Sequence, residues 1–100
     1  MKQKKIYISG PISGRPIAEA MSKFDDVAES IMETGNIPVN PMDMSGWALS
    51  WKTYIQIAQM ILFSGEIDMV YMLDGWEESH GACMERHYAK IAGILVSYQK

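Results

Sequence analysis

Residues 5–14 of the chain read Lys-Ile-Tyr-Ile-Ser-Gly-Pro-Ile-Ser-Gly, a short apolar run that stops at a glycine-rich turn. The run Ile6–Ile8 is rich in β-forming residues and predicts a strand that ends at Gly10-Pro11. Apolar residues then recur at helical spacing, and Pro16 suits the first turn of a helix over residues 16–34. A strand followed directly by a helix of this length is the usual beginning of an α/β fold.

The rest of the chain repeats this alternation of short apolar runs and helical stripes. Strands are predicted over residues 37–39, 67–73 and 94–98, and helices over about 51–62 and from Gly81 to about Ala92. Ser50 suits the cap of the second helix, and Ser45, after a Met-rich loop, is an earlier alternative.

This order of elements predicts one α/β domain over residues 1–100. Strands that alternate with helices imply right-handed crossovers, so we expect a doubly wound, mostly parallel sheet of four to five strands with helices on both faces, flavodoxin-like or Rossmann-like. Ligands of such sheets bind beyond the carboxyl ends of the strands. The segments at those ends are the Gly10–Gly14 loop, Asn40, and the stretch from Asp74 to Glu85.

Composition narrows the range of partners. The 100 residues carry a net charge of −3 without a basic stripe, so binding to polymeric nucleic acid is not expected. A single cysteine, Cys83, excludes an internal disulfide framework, and no stretch suits a signal peptide or a membrane span. We therefore expect a cytoplasmic protein with no membrane partner. His80, Cys83 and His87 share a helical face, but a fourth ligand is missing, so no metal and no cofactor are expected.

Glu85 is the first candidate for chemistry. At about 100° per residue, Ala82 and Ala89 lie almost in line and Ala92 lies about 80° away, so Glu85 falls between them on the sheet-facing side of the third helix. Burial there raises the pKa of a carboxyl group, whereas a nearby helix N-terminus keeps it ionised. Such a carboxylate is a competent nucleophile for a sugar carbon with oxocarbenium character. The alternative is an ordinary acid in the first turns of a helix.

Two further segments suit ligand binding. The loop Gly10–Gly14 precedes a helix, which favours an anion, although an ordinary strand-to-helix turn looks the same. Ser79 can cap the third helix, and its hydroxyl and the adjacent amides, up to Gly81, can also hold a ligand oxygen. Trp47 and Trp76 lie near the same end of the sheet, where they can stack on a base or pack partly into the core.

Taken together, these residues resemble the nucleoside 2-deoxyribosyltransferase-like superfamily. The resemblance rests on four segments that cover nearly the whole chain: Lys5–Pro11, Gly35–Pro41, Asp68–Val70 and Ser79–Glu85. The sequence is most similar to the small DUF4406 group of that superfamily, and is also similar to the 2′-deoxynucleoside 5′-phosphate N-hydrolases.

The resemblance implies roles for particular residues. It implies that Glu85 attacks the anomeric carbon and that Tyr7 positions or tunes it. For the substrate it implies contacts from the glycine loop and the motif serine, which hold a 5′-phosphate in the hydrolase branch. The residues expected to bind substrate are therefore Gly10, Pro11, Ile12, Ser13, Gly14, Asn40, Trp76, Ser79 and Gly81. It also implies a homodimer or larger homo-oligomer.

One departure from the family pattern stands out. The general acid that assists the departing base is commonly an aspartate about eight residues before the strand-3 aspartate, and here that position is Met60. Asp74 or Glu78 can substitute.

The function that the resemblance implies is cleavage or transfer at the N-glycosidic bond of a (deoxy)nucleoside or its 5′-phosphate. The alternatives are a catalytically weak nucleotide-binding protein on the same fold, and an interaction domain without a ligand, which the polar loops at the strand ends disfavour.

A cluster of large apolar side chains in the sequence predicts self-association. The second helix and its preceding loop hold more large apolar side chains than a small core covers, which predicts a homo-oligomer that buries them. They are Met42, Met44, Trp47, Trp51 and Tyr54.

Overall fold

The computed structural model describes residues 2–100 of the chain. Over these residues, four strands alternate with three α-helices and two 3₁₀ helices. In order they are β1 (Lys5–Ser9), α1 (Ile17–Glu33), β2 (Ile37–Val39), a first 3₁₀ helix (Pro41–Trp47), α2 (Trp51–Leu62), β3 (Met69–Met72), a second 3₁₀ helix (Trp76–Glu78), α3 (His80–Ile91) and β4 (Leu95–Tyr98). The predicted alternation of strands and α-helices is confirmed.

The strands form one parallel sheet in the order β2-β1-β3-β4. The chain leaves β1 toward one edge of the sheet to form β2 and then crosses back to form β3 on the other side of β1. The strand order therefore reverses between β1 and β3, which is where doubly wound folds open a crevice for ligands. The predicted doubly wound parallel sheet is confirmed.

The two faces of the sheet carry separate cores. Because side chains alternate along a strand, Ile6 and Ile8 of β1 pack with α1, whereas Tyr7 points to the opposite face. That opposite face is covered by α2 and α3 through buried residues such as Leu62 and Ala89. The helices thus cover both faces, as predicted, and every second residue of β1 is directed at α2 and α3.

The first 3₁₀ helix was predicted as an irregular loop. The Asn40 side chain accepts a hydrogen bond from the Met42 amide at 3.0 Å, and Pro41 occupies the first turn, so the segment coils locally. It ends at Ala48, whose φ of 53° is left-handed. α2 then begins at Trp51, because Ser50 rather than Ser45 caps it by accepting a hydrogen bond from Thr53 at 3.2 Å.

The other differences are small. β3 spans Met69–Met72 rather than 67–73, although the amides of Asp68 and Leu73 still donate to β1 at 2.9 and 2.8 Å. The polar loop before α3 contains the second 3₁₀ helix, and α3 begins one residue earlier than predicted, at His80.

Candidate functional site

Glu85 lies where the helical spacing predicts, on the face of α3 that packs against the sheet. Ala82 and Ala89 flank it, and the three side chains are 1%, 2% and 0% exposed in chain order. The Ser79 hydroxyl accepts a hydrogen bond from the Ala82 amide at 3.2 Å and so starts the helix that carries the carboxylate. The helix start therefore fixes the orientation of Glu85 toward β1.

Both oxygens of the Glu85 carboxyl group are held by hydroxyl groups of β1. Tyr7 donates a hydrogen bond to Oε2, and Ser9 donates one to Oε1 at 2.7 Å. Tyr7 and Ser9 are two residues apart in a strand, so they share the face that α3 covers. The carboxyl group is thereby fixed by two donors from a rigid element.

Burial dominates the electrostatics of this cluster. Burial raises the pKa of Glu85 to about 7, although the hydrogen bonds from Tyr7 and Ser9 favour the charged form. Burial and the negative charge of Glu85 raise the pKa of Tyr7 well above its ordinary value. Tyr7 therefore stays protonated and donating, while Glu85 exchanges its proton near neutral pH.

A cavity of about 330 Å³ opens above Glu85 and is called the Glu85 cavity below. Its walls come from the loop after β1, the first 3₁₀ helix and its exit, the start of α2 and the start of α3. Gly10 is needed where this loop passes β3, because a Cβ there would lie 2.8 Å from the Leu73 Cβ. The volume is at the lower end of the range for small-molecule sites.

Most of the residues predicted to bind substrate line this cavity. With Glu85, the lining includes Gly10, Ile12, Ser13, Ser79 and Gly81. Tyr7 is buried and does not line the cavity, but its hydroxyl donates a hydrogen bond to Glu85, which does. Pro11 and Gly14 belong to the same loop but do not line the cavity. The fold thus brings together the two sequence segments that carried the prediction, and their roles in binding stay predictions.

Two predicted residues lie elsewhere. Asn40 does not line the Glu85 cavity; its side chain caps the first 3₁₀ helix and donates to Asp25 at 3.1 Å. Trp76 is also outside the lining and packs against the Arg86 guanidinium, 5.0 Å from the ring centroid, and against Tyr98. Trp47 is 65% exposed. The expected aromatic wall is therefore not formed by Trp47 and Trp76.

The aromatic side chains of the cavity are instead Trp51 and Tyr54 of α2, together with the His80 ring. The rings of Trp51 and His80 lie 5.3 Å apart at the rim. Trp51 and Tyr54 are expected from the sequence in a self-association surface, and the structure places both in the lining of the cavity. Both residues belong to the first turn of α2, so this turn forms part of the cavity wall.

Ser9 was also missed by the sequence reasoning. The signal was its position two residues after Tyr7 in a predicted strand, which places both side chains on one face. Of the positions considered for the missing acid, Met60 is 73% exposed, and Asp74 does not line the cavity. Glu78 does line it, and its side chain is largely exposed to solvent.

The charge of the lining is negative. Glu78 and Glu85 contribute two carboxyl groups, and no lysine or arginine among residues 2–100 lines the cavity. The positive features are the amide groups at the start of α3. Neither a cluster of three metal-ligating side chains nor a helix long and apolar enough to cross a membrane occurs in the described part of the chain.

Comparison with known proteins agrees with one part of the resemblance. The family model described as "Domain of unknown function (DUF4406)" matches residues 4–98. No curated protein matches the sequence. Because the family model spans nearly the whole chain, the protein belongs to the DUF4406 family.

Proposed function

We propose that the protein cleaves or transfers the N-glycosidic bond of a (deoxy)nucleoside or its 5′-phosphate, with Glu85 as the nucleophile. The observation that supports this most directly is the buried carboxyl group at the base of a cavity, fixed through both oxygens by Tyr7 and Ser9. A charged group is rarely buried at a cost in solvation unless its environment serves a function.

The chemistry follows from the position of that carboxylate. An Oε atom of Glu85 attacks the anomeric carbon, the bond to the base nitrogen breaks, and its electron pair leaves with the base. Water or a second base then attacks the anomeric carbon of the resulting ester, and the bonding pair returns to Glu85. Tyr7 and Ser9 are positioning residues, because they hold the carboxylate without lining the cavity themselves.

A second candidate is a nucleotide-binding protein that is catalytically weak. It is favoured by Met60, which occupies the position of the expected acid and is 73% exposed, far from any role in proton transfer. In that case the Glu85 cavity binds its ligand without releasing a base. Under either candidate we propose a relationship to the nucleoside 2-deoxyribosyltransferase-like superfamily and a cytoplasmic location, which the lone Cys83 favours.

The test is a panel of 2′-deoxynucleosides and their 5′-phosphates, with the released base measured by chromatography. The wild type is expected to release a base from at least one substrate. Glu85→Gln should lose about 10³-fold or more of the rate, because it removes the nucleophile while keeping the shape of the side chain. Glu29→Gln, on an exposed position of α1, is the matched control and should match the wild type.

The outcomes separate the two candidates. A wild type that binds a nucleoside in calorimetry but releases no base supports the binding protein. A Glu85→Gln variant that releases base at the wild-type rate would rule out Glu85 as the nucleophile.

A further inference from the structure

Tyr54 has a hydroxyl group that the fold leaves without a partner. It lies in the first turn of α2 and lines the Glu85 cavity. Among residues 2–100 its Oη is the buried side-chain oxygen or nitrogen that makes no hydrogen bond. Buried hydroxyl groups almost always have a partner, so an exception in a cavity points to a partner that binds there.

The neighbours of Tyr54 leave its proton free for a ligand. The Tyr7 hydroxyl is the neighbour close enough to interact with Tyr54, but no hydrogen bond joins the two in this structure, and the Tyr7 proton is donated to Glu85. Burial and the negative charge of Glu85 raise the pKa of Tyr54 above its ordinary value, so the hydroxyl keeps its proton in the resting protein. The Glu85 cavity therefore contains a nucleophile whose two oxygens are occupied and a neighbouring donor that is not.

We propose that Tyr54 is the proton donor to the departing base, in the place of the acid that is missing at Met60. This role rests on the proposed function. Apart from Glu85 itself, the other ionisable side chains of the lining, Glu78 and His80, are exposed to solvent. Tyr54 lines the interior beside the nucleophile, where the glycosidic bond breaks.

Tyr54 acts first as a general acid and then as a general base. When Glu85 forms its bond to the anomeric carbon, the bonding pair leaves with the base and takes the Tyr54 proton at a ring nitrogen or carbonyl oxygen. The carboxylate is by then a neutral ester, so its charge no longer opposes ionisation of Tyr54. In the second half, water adds to the anomeric carbon, its proton returns to Tyr54, and the bonding pair returns to Glu85.

The test compares substrates that differ in how much the departing base needs a proton. The matched pairs are a purine 2′-deoxynucleoside with its N7-methylated form, and 2′-deoxyuridine with its 5-fluoro form. For the unmodified base, Tyr54→Phe should lose about 100-fold or more in kcat/KM, as expected for a general acid. For the activated base of the same pair the loss should shrink to about tenfold or less, because that base departs without protonation.

The controls make each outcome decisive. Tyr71→Phe removes a hydroxyl on the opposite face of the sheet and should match the wild type on every substrate. Tyr54→Phe should unfold at no lower temperature than the wild type, because it removes a hydroxyl that has no partner. Equal losses on both members of a pair would overturn the proposal, since they indicate a positioning role. The proposal would also be overturned if Glu78→Gln, rather than Tyr54→Phe, lost more kcat/KM for the unmodified base than for the activated one. A Tyr54→Phe variant that loses no activity would overturn it as well.

The proposed function can fail separately. A wild type that cleaves none of the substrates would reject it and this role together. A wild type that needs Glu85 but not Tyr54 would reject the role of Tyr54 alone.

Discussion

Glu85 is subject to two opposing effects, and their balance sets a pH dependence. Burial favours the protonated carboxyl group, the hydroxyl groups of Tyr7 and Ser9 favour the carboxylate, and the resulting pKa is about 7. Because only the carboxylate attacks a sugar carbon, kcat/KM should rise with pH and level off above about 7. A pH–rate profile from pH 5 to 9 tests this, and an acid limb near pH 4.5 would show that Glu85 is not desolvated.

The same pKa has a consequence for stability. The folded pKa is raised from 4.5 to about 7, so the folded state binds more protons than the unfolded state in this range. The contribution of Glu85 to the free energy of unfolding is fully present below about pH 4.5 and is lost as the pH rises through about 7. The loss amounts to about 3 kcal/mol.

Glu85→Gln removes that loss, because its amide is neutral at every pH. The free energy of unfolding of the variant, relative to the wild type, should increase by about 2 to 3 kcal/mol between pH 5 and pH 8.5. Urea unfolding at the two pH values measures it. The control Glu29→Gln, at an exposed position, should show a constant difference. A Glu85→Gln difference that does not change with pH would contradict the raised pKa.

At the residue scale, the sequence was informative where a residue type conflicted with its pattern. A carboxylate among alanines on a sheet-facing helix predicted Glu85, and the resemblance added Tyr7. Tyr54 conflicted with nothing, because a tyrosine in an apolar stripe is ordinary. Its importance depends on whether the hydroxyl finds a partner, and that depends on the packing of α2 against β1 and α3 rather than on any local pattern.

The elements around the Glu85 cavity also determine which substrate charge it accepts. A substrate phosphate and an ionised carboxylate of the lining that lie roughly 8 Å apart repel by about 2 kcal/mol at an effective dielectric constant of about 20. The helix N-terminus offsets about 0.3–1 kcal/mol of that. Glu85 is ionised above about pH 7, and the described residues add no lysine or arginine to the lining, so repulsion from the two glutamates exceeds this attraction in that range.

We therefore expect a neutral 2′-deoxynucleoside to be cleaved with a kcat/KM about tenfold or more above that of its 5′-monophosphate. Glu78→Gln should narrow the difference by raising the value for the phosphate, and Glu29→Gln should not change it. Rates measured side by side at low and at 0.5 M salt provide the check, because screening should reduce the preference. A preference for the 5′-monophosphate at low salt would show that the start of α3 outweighs both carboxylates.

Regular apolar spacing was enough to predict whether a segment is a helix or a strand. It did not predict the 3₁₀ helix that follows β2. β2 and α1 were predicted almost to the residue, because turn-forming glycine and proline residues bound them. The first 3₁₀ helix was not recognised, since its coiling depends on one side-chain cap from Asn40. The same cap, with the hydrogen bond that Asn40 donates to Asp25, holds the Asn40 side chain outside the cavity lining.

For the whole molecule, the topology places the Glu85 cavity at one crevice and leaves apolar side chains of several elements exposed. Of the side chains expected in a self-association surface, Met42 is buried at 4% exposure and Tyr54 lines the Glu85 cavity. Trp47 and Trp51 of that set are 65% and 46% exposed, so the prediction stands for them. Further apolar surface lies along α2, where Ile57 and Ile61 are half-buried and Met60 is 73% exposed. These three share one side of the helix because they are spaced by three and four residues.

This flank, formed by Ile57, Met60 and Ile61, is the surface through which we expect two copies to associate. A monomer that leaves large apolar side chains in water gains free energy by burying them, and a self-complementary helix face does so under two-fold symmetry. Sedimentation velocity at micromolar concentration should therefore give a homodimer. Met60→Lys should shift it to the monomer, because an ammonium group in an apolar interface must be desolvated. Met32→Lys, at a position of α1 that is 56% exposed, is the matched control and should leave the dimer intact. A wild type that sediments as a monomer would contradict the prediction, and a dimer that survives Met60→Lys would move the interface to another face.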